Sequence, residues 1–480
     1  MNKPQTIEGV WHIHGEDKPA NIGILNYDPE KGFELSIQIP RSRSTDEAFI
    51  AMLTGADDDE ISNVIHGTNK NASPVTLFGC SLREFSKGAG MDNYRVHVSA
   101  AILNHHVATW ESAQYPAAGV KFNLLTRWLN QKFEIYDKQR VTEAINRKSF
   151  LFEFQLHDEL EFIVSPEARI KIQSFPHPSH TPAELTIKQV HTLYFLFTKP
   201  MPAQKLFEDF VMVFLRLLHL LTGERIFAEQ ITLHDRDPFI PNTAEHLKSY
   251  ELLLTNTGVN EAKNDVHAGH MVVSYEAIAS NFQDILKKWF ECHERLEPVL
   301  DLYYAVITNL VLTDKSRFLY MAQAMEVYHA RSGFNGTVQT KECFRKRRDN
   351  ILENVSDVEK EWLKEKLHYA NQKTLADRLT EILELHRDEV RQLTFNIIDF
   401  ASKVRHSRNY YTHYDQELWD SGKVADGLEL RRIAYALIFL LEICLLKELG
   451  IKGEPIAEVL DRYSKIEWAD LKSETIQPVK

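Results

Sequence analysis

Cysteine is scarce. The 480 residues hold four, Cys80, Cys292, Cys343 and Cys444, none at CxxC spacing. Neither a zinc knuckle nor a thioredoxin-type site is expected, and so sparse a set suits a reducing cytosol where thiols are packed rather than paired. Long hydrophobic runs are missing too. Arg216 and His219 break FVMVFLRLLHLL at 210–221, and Glu442 breaks IAYALIFLLEICLL at 433–446. Both are shorter than the ~18–20 apolar residues of a membrane span and read as buried core helices. The first residues, MNKPQTIEGVWHIHGEDKP, lack the apolar stretch of a secretory signal, so a cytoplasmic location is expected. Positive charge is in deficit: 56 Lys and Arg against 68 Asp and Glu give −12, so any polyanion must meet locally gathered cations. No GxxxxGK[ST], GxGxxG or GxSxG occurs, which excludes the corresponding phosphate cradles and the nucleophile elbow. His12/His14, His105/His106 and His267/His270 each lack a third ligand at recognisable spacing, so no metal or other cofactor is expected.

What is present is ordinary globular composition, 44% hydrophobic and 26% charged, long enough for two to four domains at ~100–200 residues each. Up to about residue 175 the chain reads as short strands: 21–27 and 33–39 around the turn cluster DPEKG, then 61–66, 75–86, 94–101, 149–156, 160–165 and 168–173. In 94–101, Val96 and Val98 alternate with Arg95 and His97. SFPHPSHTP at 174–182 holds three prolines and reads as a linker. Helical spacing is predicted over 186–197 and 203–221, then strands over 227–233 and 249–254. From about 281 the chain reads as helices: 281–295, 298–312, 315–330, 357–369, 374–386, 391–411, 428–449 and 455–463. No repeat of 20–50 residues is visible. The expectation is an α+β protein: a β-rich domain over 1–175, a mixed helical and β region over 176–280, and a helical bundle over 281–480.

The informative stretch is KVRHSRNYYTHY at 403–414. Lys403, Arg405 and Arg408 precede any carboxylate, and His406 and His413 carry groups that exchange protons near neutral pH. Arg408 offers a planar fork for a phosphate. Asn409 and His413 are i, i+4 and share a helix face. Arg408 and His413, expected at a helix start, are five apart, about 140° around a helix, so one chain's pair converges only if that start is irregular or a second copy contributes. On spacing alone, a solvated basic face leading into a bundle helix is the competing reading. KECFRKRRDN at 341–350, +5 − 2 = +3, places Arg345, Arg347 and Arg348 around Phe344; it reads either as an RNA-tracking patch or as a solvated charge run.

RNYYTH at 408–413 resembles the R-polar-x3-H motif of HEPN domains, and RFLYMAQAMEVYH at 317–329 resembles an apolar helix of ApeA-like HEPN proteins. A β-rich N-terminal half before such a bundle is similar to whole ApeA proteins, which are associated with bacterial anti-phage defence. The resemblance implies a metal-independent endoribonuclease acting as a homodimer with a composite site, released by a phage-derived trigger. Arg408, Asn409 and His413 would be catalytic, and Arg405, Tyr411, Arg345, Arg347 and Arg348 would contact RNA. Glu326 would orient a basic residue, with a bundle salt bridge as the alternative. The competing functions are a non-catalytic HEPN module that binds nucleotide, RNA or a partner, and a structural adaptor.

Overall fold

The structure is a computed structural model and describes residues 4–13, 21–40, 64–88, 90–130, 158–181, 184–240, 247–255, 271–309, 311–391, 393 and 397–474. It divides into two compact units, Met1–Lys287 and Lys288–Lys480.

The first unit is built on fourteen strands among the described residues. They are β1 (Gln5–Ile13), β2 (Asn21–Asp28), β3 (Gly32–Pro40), β4 (Ile65–Asn69), β5 (Pro74–Phe78), β6 (Ser81–Lys87) and β7 (Met91–Val98). There follow β8 (Ala100–Leu103), β9 (Gln114–Phe122), β10 (Leu160–Ser165), β11 (Ala168–His180), β12 (Leu185–Pro202), β13 (Ala228–His234) and β14 (Ser249–Leu254). They form one sheet in the order β10-β11-β12-β9-β13-β14-β8-β5-β4-β1-β2-β3-β7-β6. Neighbouring strands run antiparallel.

Local chemistry explains the hairpin β2–β3. Asp28 Oδ1 accepts from the backbone N–H groups of Glu30 at 2.9 Å and Lys31 at 3.1 Å, and Gly32 takes φ +86°. Those bonds hold the Asp28 carboxyl below its usual range. Alternation then sets the core face: Leu25, Tyr27, Leu35, Ile37, Tyr94, Val96 and Val98 are buried with Trp11 in one cluster, while Arg95 and His97 point out.

Several expectations need correction. The single strands 75–86 and 94–101 are each two, broken at Gly79 (φ +61°) and Ser99. The expected strand at 61–66 runs instead over Ile65–Asn69, and residues 61–63 lie outside the described residues, as does the strand expected at 149–156. The helix predicted at 186–197 is part of β12. Its β-branched and aromatic residues, Ile187, Val190, Thr192, Tyr194, Phe195 and Phe197, favour a strand, and a short apolar run does not separate the two periods. The predicted linker is strand through His180, paired register for register with β12. Pro176 and Pro178 sit where β10 no longer runs alongside, an edge that tolerates a missing N–H. Residues 176–280 thus contribute β12, β13 and β14 to the same sheet. The run at 210–221 is helical as expected: α1 (Met212–Thr222) follows a π-helical turn, Phe207–Val211, and ends on left-handed Gly223.

The second unit is helical. Its elements are α2 (Phe282–Thr308, entering from the first unit), α3 (Asp314–Arg331), α4 (Lys341–Glu353), α5 (Asp357–Leu367), α6 (Leu375–Leu385), α7 (Ile397–His413), α8 (Gln416–Asp420), α9 (Gly427–Glu448) and α10 (Glu454–Glu474). Two helices were expected where α2 runs unbroken through Pro298; Leu296, Val299, Leu300 and Tyr303 are buried on either side, and that packing outweighs the lost hydrogen bond. α4 was not expected as a helix, and Thr340 caps it by accepting from the Cys343 N–H. α9 is the bundle's centre and is buried almost all round between Ala436 and Leu446. Its one buried charge, Glu442, accepts from Tyr303 Oη at 2.7 Å and from Arg462 Nη1 at 3.5 Å. Among the described residues no helix is long and apolar enough to cross a membrane. The thiols are unpaired; burial pushes Cys80 and Cys444 up to about 12 and Cys292 up to about 11, so none of these three is a ready thiolate.

Trp11 lies against Gly67 of β4, so a Cβ there would meet the indole ring at 2.3 Å. Gly67→Ala is expected to cost roughly 1–3 kcal/mol by overpacking, read as a lower melting temperature of the sheet unit. An unchanged melting temperature would contradict this packing.

Candidate active site

The basic motif occupies the last two turns of α7, the C-terminal end of the helix and not its start. Packing fixes this end from below. Tyr411 is buried, and its hydroxyl lies 2.9 Å from both the Ala425 carbonyl and Asp426 Oδ1. Burial, then the Asp426 carboxylate, push that phenol well above its ordinary pKa. Ser407, fully buried, accepts from the Ala425 N–H at 2.9 Å. The loop before α9 is thereby tied to α7 at two points one turn apart.

Helical period then sends the motif side chains in different directions. Arg408 turns toward α3, where its Nη2 donates to Glu326 Oε2 at 3.1 Å; both side chains are about one-third exposed, 38% and 30%. Arg408 Nη1 also donates to Asn409 Oδ1 at 3.4 Å. His413 is the last helical residue and is exposed. Tyr414 follows in the left-handed region, φ +54°, and its N–H closes the helix on the Tyr410 carbonyl at 2.5 Å. For a bulky residue that conformation costs about 1 kcal/mol or more. Asp415 then caps α8 by accepting from the Glu417 and Leu418 N–H groups. Beside His413 this leaves a group of rings: Tyr410 lies 4.9 Å from Trp419 and 5.5 Å from Tyr414, centroid to centroid.

A second layer supports Glu326. α6 starts with a capping box, Thr374 and Asp377, and presents Arg378 and Glu381 to α3. Arg378 Nη1 donates to the Glu326 carbonyl at 3.4 Å. Glu381 Oε2 lies 2.8 Å from Nε2 of the fully buried His329, and Glu381 also pairs with Lys373. Burial would raise the Glu381 carboxyl, but the hydrogen bonds from Lys373 and His329 outweigh it and hold the group low.

Two family models match the chain: one described as ApeA N-terminal domain 1 over residues 6–289, the other as Apea-like HEPN over 319–455. The chain belongs to the ApeA-like HEPN family. No curated protein and no solved structure matches it. The N-terminal family model takes in the strands from β1 to β14, so in this family member the sheet is read as one region by sequence as well as by contact. The HEPN match spans α3 to α9 and so contains both Glu326 and the 408–413 motif.

Arg405 Nη2 lies 3.1 Å from Nε2 of His406. Together with the hydrogen bonds from Thr374, its charge helps hold the Asp377 carboxyl of α6 below its usual range. Tyr411 has no face left for a base, because its ring is packed. Arg345, Arg347 and Arg348 stand on α4, with Arg348 paired to Asp349 at 2.8 Å. α4 buries only Leu352 and α5 buries nothing. The excursion they form is tied at its base, where Asn371 exchanges hydrogen bonds with Gln339 and the backbone bridges Thr337 to Gln372. No hydrogen bond or ion pair links these three arginines to the motif among the described residues. His12, His66 and His106 gather in the sheet unit, the last two stacked at 4.5 Å. The Nε2 atoms of His66 and His106 lie 2.8 and 2.7 Å from the carbonyls of Val107 and Gly67. Among the described residues no group of His, Cys, Asp and Glu is arranged to hold a metal. His14, His267 and His270 lie outside the described residues. Sequence reading missed Trp419, Arg378 and Glu381. Trp419 lies on a separate helix, and the other two stand 52 residues from their partners on α3.

The buried rings of His329 and His386 and the half-buried ring of His406 titrate below the ordinary 6.5, in each case first because burial disfavours the charged form. The unfolded chain takes protons that the folded one resists, so this stability is complete above about 6.5 and lost as pH falls below it. Melting temperature is therefore expected to fall between about pH 7.5 and about pH 5.5. Equal or greater stability in acid would contradict these environments.

Proposed function

We propose that this protein is an endoribonuclease of the HEPN type, acting in the cytoplasm in anti-phage defence. The observation that carries the reading is one helix end that offers an arginine held by a carboxylate, Arg408 on Glu326, and an exposed imidazole one turn further on, His413. The ribose 2′-OH beside a scissile phosphate is an internal nucleophile, and holding it in line with the leaving oxygen supplies much of the rate. His413 takes the 2′-OH proton as the 2′-oxygen forms its bond to phosphorus. Arg408 neutralises the charge that builds on the phosphoryl oxygens. The bond from phosphorus to the 5′-oxygen breaks, and a second imidazole returns a proton to that oxygen. The products are a 2′,3′-cyclic phosphate and a 5′-OH end, with no water consumed and no redox change.

Glu326 has two parts here. It orients the guanidinium, and it competes with phosphate for it, so RNA binding replaces one hydrogen-bonded anion by another. An exposed pair of this kind is worth only about 0–1 kcal/mol, which leaves the exchange cheap. Asn409 bonds the phosphate or steadies Arg408. Tyr410, Tyr414 and Trp419 offer rings on which unpaired bases stack, and Arg345, Arg347 and Arg348 on α4 track the strand. The second imidazole comes from a second copy in a homodimer, and the sheet unit restrains the nuclease until a phage-derived trigger releases it.

The test is purified protein against total cellular RNA in EDTA, with new 5′-OH ends mapped. Cleavage is expected to survive chelation and to fall by about 10²-fold or more in Arg408→Ala and in His413→Ala, with melting temperatures unchanged. Cleavage that persists in either variant, or that stops in EDTA, would refute the proposed chemistry. A non-catalytic binding module would give RNA affinity with no new ends.

A further inference from the structure

The two ends of the sheet are finished differently. An end strand presents a row of backbone N–H and C=O groups that can template another strand. At one end stands β10, where Gln283 of α2 takes the place of a neighbour. The Ile163 N–H donates to Gln283 Oε1 at 2.8 Å, and Gln283 Nε2 donates to the Ile163 carbonyl at 2.6 Å. At the other end stands β6. Among the described residues it pairs with β7 alone, and no side chain bonds to its outer backbone edge. Every residue in it but Leu82 is exposed.

The core-facing side of β6 carries a pattern. Phe85 lies opposite Tyr94 and Lys87 opposite Asp92, and residues directly opposite share a face. Tyr94 belongs to the buried cluster around Trp11, Leu82 packs on that cluster, and the Phe85 ring lies 5.0 Å from that of Tyr94, centroid to centroid. The core therefore runs out to the end of the sheet and stops on Phe85, which is 42% exposed. Next on that face is Lys87, exposed and without an ion pair among the described residues. A further strand would continue the core by setting an apolar side chain against Phe85, and would gain a charge pair by setting a carboxylate against Lys87.

The β6 of a second copy does not meet these needs. Centred on Arg83, Glu84 or Phe85, antiparallel self-pairing sets Arg83 against Arg83, Glu84 against Glu84, or Arg83 against Lys87. Like charges directly opposite are destabilising. The register is also irregular between Leu82 and Glu84, whereas Glu84–Lys87 pairs evenly with β7.

We infer that β6 is a docking edge for an extended segment of another protein. The segment adds antiparallel, as neighbours in this sheet do, and reads acidic, any residue, apolar from its N-terminal end. Main-chain hydrogen bonds supply the affinity, and Lys87 and Phe85 supply the choice of sequence. The edge lies wholly within the sheet unit, so docking does not depend on whether the bundle cuts RNA.

The test uses the full chain and a fluorescein-labelled peptide, Thr-Asp-Thr-Val-Thr-Ile-Thr, whose Asp and Val fall opposite Lys87 and Phe85. A second peptide carries Lys in place of Asp. Fluorescence anisotropy reads binding, and amide hydrogen exchange reads its location. Saturable binding of the Asp peptide is expected, with added protection confined to residues 81–87. The Lys peptide is expected to bind about fivefold more weakly, Lys87→Glu to invert that preference, and Phe85→Ala to weaken both peptides about threefold or more. No saturable binding, protection away from 81–87, a preference that Lys87→Glu leaves unchanged, or an affinity that Phe85→Ala leaves unchanged would each overturn the inference. Protection of 81–87 that grows with protein concentration in the absence of peptide would assign the edge to a second copy and overturn it as well.

Discussion

An α-helix turns about 100° per residue, so an arginine and a histidine five positions apart cannot face one phosphate from a regular helix. The rest of the candidate site is organised around that constraint. α7 is regular up to His413, and nothing in it bends Arg408 and His413 together. Arg408 instead leans on Glu326 of the neighbouring helix, and His413 stands at the open end. One chain therefore offers two halves of a phosphate site aimed in different directions. The proposed second copy would supply the half that each chain lacks.

What keeps the helix end in place is buried and polar. The hydroxyls of Ser407 and Tyr411 are both spent on the 425–426 loop, and α3, which holds Glu326, packs on the apolar centre of the bundle, α9. Glu381, Lys373 and His329 make a connected set on the far side of Glu326. Removing one member would leave the buried His329 without its partner, so these residues support the surroundings of Glu326 through structure. The positive φ of Tyr414 is a different matter. A glycine would relieve it, and a strained tyrosine beside an exposed imidazole is the kind of cost that proteins carry at working surfaces.

Much of this was legible in the residues. Alternation gave the β2–β3 hairpin and the buried face of β7, because one wet face and one dry face impose a period of two. The helical second half and the core status of 433–446 followed from periodicity and from Glu442, too polar for a span yet buried on Tyr303 and Arg462. Three of the errors share a cause: each is a place where packing or pairing partners far along the chain override a local signal. Residues 186–197 carry apolar spacing that fits either period, and the strands β9 and β11 on both sides decide for a strand. Three prolines within nine residues suggested a linker, but Pro176 and Pro178 fall on a sheet edge. Pro298 suggested a break that packing overrides. At the site, the motif was readable from six residues, whereas its position at a helix end, the burial of Tyr411 and the support from α6 depend on contacts across 14 to 82 residues.

The most direct test of a site completed by a second copy is subunit mixing under conditions that permit exchange. Wild-type protein is titrated with the Arg408→Ala/His413→Ala double variant at constant total concentration, and RNA cleavage is measured. A shared site predicts that activity falls as the square of the wild-type fraction. A linear fall would mean that each chain cuts alone, and would contradict the account.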